Sequence, residues 1–470
     1  MPGKDNAAFE LGERQMEGAS SSHGPPQPYQ AIKTVSTLKI FLVCLLATVL
    51  TTIITLIVVV TYKPPQYSTT QTRQGTPTDG NNKPKLTQID TKYRFLSHLY
   101  KSKLFKFPGG TVQWSRYRQN PEEYPDRESR EFGTNINKFQ SKMTGSILRI
   151  KRKGMRVPHW HLNSNEHGYV LQGTAWIGVV DENAKVVGTF NITVGQVFFL
   201  PKNTMHWMKN VGPDEVIFLL FFTIHEQLRS IDVDDAFFAT PQDIAARALK
   251  PIDGIKFIKS FKRAEENQAV NLPPNLDQLI RSASYPKASD DIVAKYFYDL
   301  KGSITYIYPG GTIQWARYRK DTSSLNKNEK IYSEFLNENE DSLTISTMDI
   351  PNNGLRVPHF HTNANEMVYI ARGCGSVGVF SPGNSVSNFY INTGDLAFFP
   401  IGTQHFVKSI CDEPMLAISA FSTGNQLETL DIHKYYNATA DHILAQLFMK
   451  PQDQVKRLKV LEGNQALNMP

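Results

Sequence analysis

The sequence predicts an all-β chain built twice on one plan, and three observations carry that expectation. Short runs rich in Val, Ile, Phe and Tyr (AWIGVV, QVFFLP, VIFLLFFT, SVGVF, LAFFP) are separated by Gly, Asn, Asp and Pro, the pattern of a β-sandwich or β-barrel. The stretch RVPHWHLNSNEHGYVLQG at residues 156–173 returns as RVPHFHTNANEMVYIARG at 356–373, an offset of 200. At 470 residues, 40% of them hydrophobic and 20% charged, the chain can hold two or three domains and is not compositionally disordered.

Charge and cysteine content narrow the function classes. The formal charge is +7, but the basic residues are scattered apart from RIKRKGMR at 149–156. A solvated basic surface is expected, with no nucleic-acid partner. Only three cysteines occur, and Cys44 falls in an apolar run, which excludes a disulfide-dense scaffold and a CxxC zinc site.

Taken in order, residues 1–39 are polar and rich in Gly, Ser and Pro, and read as a disordered tail. Residues 40–62 form the next segment, and the run IFLVCLLATVLTTIITLIVVV within it carries no charge. Its length suits one transmembrane helix, and the 39 residues before it argue for a retained signal-anchor over a cleaved signal peptide. Lys33 and Lys39 precede the span while Lys63 and Arg73 follow it, so flanking charge does not set the orientation. A short tail and a large C-terminal part suggest a single-pass type II membrane protein with its domains extracellular or lumenal. Asn191-Ile-Thr and Asn437-Ala-Thr are compatible with that location. Residues 63–95 read as a polar Pro/Gly/Thr stalk, and the PPQY within it is taken as accidental.

The repeat units follow, residues 96–273 and 274–470. FPGGTVQWSRYR at 107–118 matches YPGGTIQWARYR at 308–319. TPQDIAARALKP at 240–251 matches TADHILAQLFMKP at 439–451, each read as a short closing helix with Thr240 or Thr439 as N-cap. NQAVNLP at 267 and NQALNMP at 464 end the two units, and the second unit is expected to complete the chain.

Chemistry concentrates in the repeated stretch. His159 and His161 are two apart, so on a strand both imidazoles share a face. Glu166 follows after a turn, and GQVFFLPKNTMHWMKN from Gly195 adds His206. The second copy supplies His359, His361, Glu366 and, in GDLAFFPIGTQHFVKS from Gly394, His405. Three imidazoles and one carboxylate suit a divalent first-row metal: Mn²⁺, Fe²⁺, Ni²⁺, Co²⁺ or Zn²⁺. A bland reading, a polar cluster left over from an ancestral site, would lead one to expect an eroded ligand, and all eight are present. Arg156 and Arg356 stand three residues before the first histidine, where a guanidinium could grip a carboxylate with two hydrogen bonds.

The two motifs, HxH-x4-Glu-x6-Gly and Gly-x5-Pro-x4-His, resemble the signatures of the cupin superfamily. Their duplication over residues 96–470 resembles the bicupins of the oxalate decarboxylase type. Asn203 departs from the second motif, which prefers Gly (Gly402 in the other copy), but Asn tolerates the left-handed turn. The resemblance implies two tandem double-stranded β-helix (jelly-roll) domains, two Mn²⁺ ions per chain (Fe²⁺ or another divalent metal being the alternative) and cleavage of oxalate to CO2 and formate. It also implies that Arg156 and Arg356 hold the substrate carboxylate, and that a lid glutamate moves a proton. The family lid reads Ser-Glu-Asn-Ser-Thr, whereas this chain has TIHEQLRS at 223–230 and STGNQLET at 422–429. Glu226 or His225 is the candidate for the proton role, although Gln227 stands nearest by register, and the second copy offers Glu428. Alternatives are another cupin oxidase or dioxygenase, or a non-enzymatic surface protein that retains metal. A homo-oligomer is compatible with all of these. In a jelly roll the strand opened by Cys374 and the strand after His405 are antiparallel neighbours, which brings Cys374 and Cys411 within reach of a disulfide. Their first-copy counterparts are Thr174 and Gly212.

Overall fold

The computed structural model describes residues 91–115, 126–180, 187–316, 325–339, 341–381, 385–424, 426–459 and 463–469. The tail, the apolar run at 40–62 and the stalk as far as residue 90 lie outside the described residues. Among the described residues no helix is long and apolar enough to cross a membrane. Phe95, placed at the end of the stalk by composition, is buried.

The first half contains strands β1 (Leu96–Ser97), β2 (Phe105–Phe107), β3 (Gly110–Trp114), β4 (Thr144–Ile150), β5 (Met155–His161), β6 (Glu166–Gln172) and β7 (Thr174–Val180). It continues through β8 (Val187–Thr193), β9 (Val197–Leu200), β10 (Met205–Asn210), β11 (Val216–Phe222), β12 (Ser230–Asp232) and β13 (Val270–Asn271). The second half contains β14 (Phe297–Tyr298), β15 (Tyr306–Tyr308), β16 (Gly311–Trp315), β17 (Thr344–Ile350), β18 (Leu355–His361), β19 (Glu366–Arg372) and β20 (Cys374–Ser381). It closes with β21 (Ser385–Asn392), β22 (Leu396–Phe399), β23 (Gln404–Ser409), β24 (Met415–Phe421), β25 (Thr429–Asp431) and β26 (Leu467–Asn468).

Each half is a sandwich of two antiparallel sheets, one ordered β14-β9-β6-β11-β4-β3-β2 against β12-β5-β10-β7-β8, the other β1-β22-β19-β24-β17-β16-β15 against β21-β20-β23-β18-β25. Of the two all-β architectures open to the sequence, the described strands form the sandwich. They run in separate sheets, so the β-barrel reading is corrected.

The strand sequences state their burial. β10, MHWMKN, alternates, with His206, Met208 and Asn210 buried and Trp207 half-buried, as expected of a strand with one face to the core. β9, VFFL, is buried at every position because both of its faces are covered. Phe198 packs in the core of the first sandwich, while Phe199 joins a second core shared with the other half, alongside Phe132, Tyr332, Met367, Phe398 and Ile418. Burying a phenylalanine contributes roughly 1.5–3 kcal/mol, so this shared core binds the halves firmly.

The halves also exchange strands. β1 pairs with β22 of the second half, Leu96 opposite Ala397, and His98 Nδ1 lies 2.7 Å from the buried Asp395 carboxylate. In return β14 pairs with β9 of the first half, Phe297 opposite Phe198. Sequence segmentation alone divides the chain after residue 273, whereas the sheets interlock across that point.

Two repeated motifs acquire physical reasons. The PGG turns lie against the closing strands: Gly109 donates its N–H to Val270 O at 2.7 Å, and a Cβ on Gly109 would collide with the Asn271 carbonyl. Gly310 meets Leu467 and Asn468 in the same way. Asn203 adopts φ +63°, close to the +72° of Gly402, so the turn forms with either residue. The closing helices need a correction. Thr240 and Thr439 do not cap the helices Gln242–Leu249 and Asp441–Phe448, whose N-caps are Pro241 and Ala440. They end the preceding helices instead, each hydroxyl donating back to a carbonyl four residues earlier, Ala236 or Tyr435.

Cys374 opens β20, and Cys411 lies two residues beyond β23, its antiparallel neighbour. The two are joined as a disulfide across Cα atoms 5.6 Å apart.

Candidate metal centres and their cavities

β5 projects Val157, His159 and His161 into the first sandwich on one face. His206 enters from β10, opposite His159, and Glu166 enters from the facing sheet as the first residue of β6. All four side chains are buried, and one donor atom from each lies within 4.8 Å of the others. His359, His361, Glu366 and His405 repeat the arrangement in the second sandwich.

The hydrogen bonds behind the rings determine what they offer. His159 Nδ1 lies 2.8 Å from Val157 O, and His206 Nδ1 lies 2.8 Å from Thr204 O. A carbonyl only accepts, so Nδ1 carries the proton and Nε2 presents a lone pair inward when the ring is neutral. His161 Nδ1 lies 2.7 Å from Ser230 Oγ. In the second site the backing atoms are Val357 O, Thr403 O and Thr429 Oγ1. Such contacts orient metal-ligating histidines.

Protonation follows burial and charge. Burial, reinforced by the Arg156 guanidinium, holds His159 well below its usual value, and burial lowers His161. Burial alone would raise Glu166, but the imidazoles of His161 and His206 override it and hold the carboxyl at about 2. Glu366 is likewise held low against burial by His359, His361 and His405. His206 Nε2 and Glu166 Oε2 are 3.2 Å apart, and His405 Nε2 and Glu366 Oε2 are 2.9 Å apart. Three imidazole nitrogens and one carboxylate oxygen thus converge in each cluster, a set of donors that a cation would hold together. Deprotonated donors are the form that binds metal, so the residues present fit a divalent ion at each site.

Each cluster faces a cavity, about 360 Å³ in the first sandwich and about 500 Å³ in the second. Arg156 and Arg356 line these cavities and are mostly buried. Arg156 Nη2 pairs with Asp232 Oδ1 at 2.9 Å, and its Nη1 donates to Ala269 O. Arg356 Nη1 donates to Asp431 Oδ1 at 2.8 Å and to Ala466 O at 3.0 Å. Burial would raise Asp431, but Arg356 overrides it and holds the carboxyl well below the usual range.

The lids are anchored alike. Asn163 donates to Gln227 O and accepts from Arg229 N–H, while Asn363 donates to Gln426 O and accepts from Glu428 N–H. Gln227 lines the first cavity. Glu226 is exposed and, like His225, forms no part of the wall, so the sequence candidate for the proton role stands outside the site. Glu428 does line the second cavity.

Sequence reasoning missed Asp232 and Asp431, Ser230 and Thr429, and the lid-holding Asn163 and Asn363. Each pair recurs at an offset of 199 or 200, so position-by-position comparison of the two copies would have found them. Asn191 and Asn437, the sequon asparagines, are both exposed.

Comparison with known proteins agrees with this architecture. The germin-like protein subfamily 2 member 1 of Arabidopsis thaliana is 32% identical over 120 residues, 25% of this chain and 55% of that protein. The chain spans about half the length of the germin-like relatives it matches. Oxalate decarboxylase OxdC of Bacillus subtilis is 22% identical over 277 residues, 58% of this chain and 66% of that protein. A solved structure of the Bacillus subtilis oxalate decarboxylase at pH 4.6 superposes with a TM-score of 0.61 at 15% identity, over 85% of this chain and 97% of that one. Another, from work on its Mn(II) centres, gives 0.61 at 16% identity over 82% and 90%. The family model described as Cupin matches residues 127–250 and again 321–439. With two sandwiches, two His3Glu clusters and family matches over just over half of its length, the chain belongs to the cupin family as a bicupin.

Proposed function

We propose that this bicupin is a metal-dependent enzyme acting on a small carboxylic acid, with oxalate decarboxylation to CO2 and formate as its reaction. The observation that carries the reading is that each cavity is lined by two histidines and the glutamate of a buried His3Glu cluster together with a fixed arginine. His159, His161, Glu166 and His206 would hold one Mn²⁺, and His359, His361, Glu366 and His405 a second. A bound ion of this kind supplies a template and a Lewis acid for a carboxylate. Arg156 and Arg356 each have guanidinium N–H groups beyond those used on Asp232 or Asp431 and the closing strand, and these grip the substrate carboxylate. The apolar walls, including Trp114 and Phe222 or Trp315 and Phe421, keep water from the bond that breaks. The reaction is redox-neutral: the C–C bond of the oxalate monoanion breaks, CO2 leaves, and the proton ends on the formate carbon.

A second reading, another cupin oxidase or dioxygenase or a metal-retaining binding protein, is favoured by the first lid, where Gln227 lines the cavity and cannot carry a proton. Metal analysis combined with an oxalate assay separates the readings. Formate without peroxide is expected, peroxide supports an oxidase, and bound metal without turnover of any dicarboxylate supports a binding protein.

For location we propose a single-pass type II anchor at residues 40–62, supported by the uncharged run and its length. Protection of the folded part from protease inside sealed vesicles is expected, and digestion from the cytosolic side would reverse the orientation.

A further inference from the structure

The two cavities carry equivalent metal-ligating residues and an equivalent arginine, yet differ in charge at the lid. Arg229 and Glu428 occupy equivalent positions. The backbone N–H of each is held by the side chain of Asn163 or Asn363 at 2.9 Å, and each precedes the hydroxyl residue backing a ligand histidine. Both line their cavities. The exchange of Arg for Glu at one place shifts the local charge from positive to negative.

Neighbouring residues accompany the exchange. Glu428 Oε2 accepts a hydrogen bond from Thr362 Oγ1 at 2.7 Å, whereas the first repeat has Leu162 at that position. Arg229 pairs with no carboxylate among the described residues, so its charge stays available to a ligand. The second cavity also carries Lys434, which pairs with Asp431 at 3.2 Å. Its counterpart Asp235 pairs with Arg263 away from the first cavity. Arg156, Arg229 and Glu166 leave the first wall with a surplus of positive charge. Arg356 and Lys434 are outnumbered in the second by Glu366, Glu428 and Asp431. Asp232 behind Arg156 brings the first total to zero without changing which cavity is the more positive.

Resting on the proposal that the cavities take small carboxylates, we infer that they select by ligand charge, with Arg229 and Glu428 as the specificity-determining residues. The first cavity takes the dianion of a dicarboxylate, and the second favours a singly charged carboxylate. A unit charge about 10 Å from an anion, at an effective dielectric near 20 and screened by salt, changes affinity roughly three- to tenfold.

The test uses the Mn²⁺-loaded full chain and calorimetric binding of oxalate and acetate at pH 7. H361A leaves only the first site filled, and H161A only the second. The ratio of oxalate to acetate affinity is expected to be three- to tenfold higher at the first site. R229E should lower that ratio to the second-site value, and E428R should raise the second-site ratio. If the histidine variants do not fold, R229E and E428R on the intact ligand set, read as two-site isotherms, carry the same comparison. Equal ratios at the two sites, or ratios indifferent to the lid exchanges, overturn the inference. If oxalate binds neither site but malonate and acetate still divide between them, the oxalate reading falls and charge selection stands. If no carboxylate binds either site, both fall.

Discussion

At His206 the carbonyl of Thr204 decides which nitrogen carries the proton, and the same device recurs at His159, His359 and His405. The two clusters lie in separate sandwiches and share no ligand, so they should fill independently. Replacing His159 and His161 with Ala should lower the metal content from two ions per chain to one, and so should the same change at His359 and His361. Elemental analysis reads this directly, and an unchanged count from both pairs would show that the ligands are elsewhere. The Glu166 carboxyl, held at about 2 against an ordinary 4.5, gives a pH dependence of known sign. Its contribution is fully present above the ordinary value and is lost as pH falls through about 2. For metal-free protein the urea midpoint should therefore fall between pH 4.5 and 2, by the equivalent of about 3 kcal/mol, and E166Q should lack that part of the slope. The eight ligands were legible because the HxH spacing places two histidines of each site on one strand face, and the repeat of the whole pattern marked Glu166, His206, Glu366 and His405 beside them. The partners of Arg156 and Arg356 were not, since Asp232 and Asp431 lie some 75 residues further on and meet the arginines only through β12 and β25. Glu226 is exposed and outside the cavity wall, which its neighbour Gln227 lines.

Among the elements, long strands announced themselves and very short ones did not. β9 and β22 read as continuous apolar runs because both faces are buried, and β5 and β10 as alternation because one is. β1 and β14 contain two residues each, too few to show a period, so their exchange between sandwiches could not be read from pattern. Thr240 and Thr439 look like helix starts, but the Pro241 or Ala440 after each occupies the cap and leaves the threonine to finish the helix before. The β20–β23 pairing was legible through the family resemblance, and it supports the Cys374–Cys411 bond, which encloses 37 residues of separation. Removing both cysteines should lower stability by about 3–4 kcal/mol on a loop-entropy account. Peptide mass mapping after alkylation without reduction should show no alkyl group on either residue, and alkyl groups on both would show the bond to be absent.

Across the whole described body, the shared core around Phe199 and Phe398 and the two exchanged strands hold the halves together. The exposed connection at 281–287 is therefore a covalent link and not the main attachment. A single cut there should leave both fragments co-eluting in native size-exclusion chromatography and separating only in denaturant; fragments that part in buffer would show the interlock to be weak. The same reciprocity bears on descent. A deletion that discarded one copy would strip the survivor of its borrowed edge strand and expose β9 or β22, along with half of an apolar core, to aggregation. Changes at a lid meet no such barrier, because Arg229 and Glu428 sit at the surface on a backbone held by asparagine. Once joined, the two copies were bound to be inherited together, while their lids stayed free to drift apart.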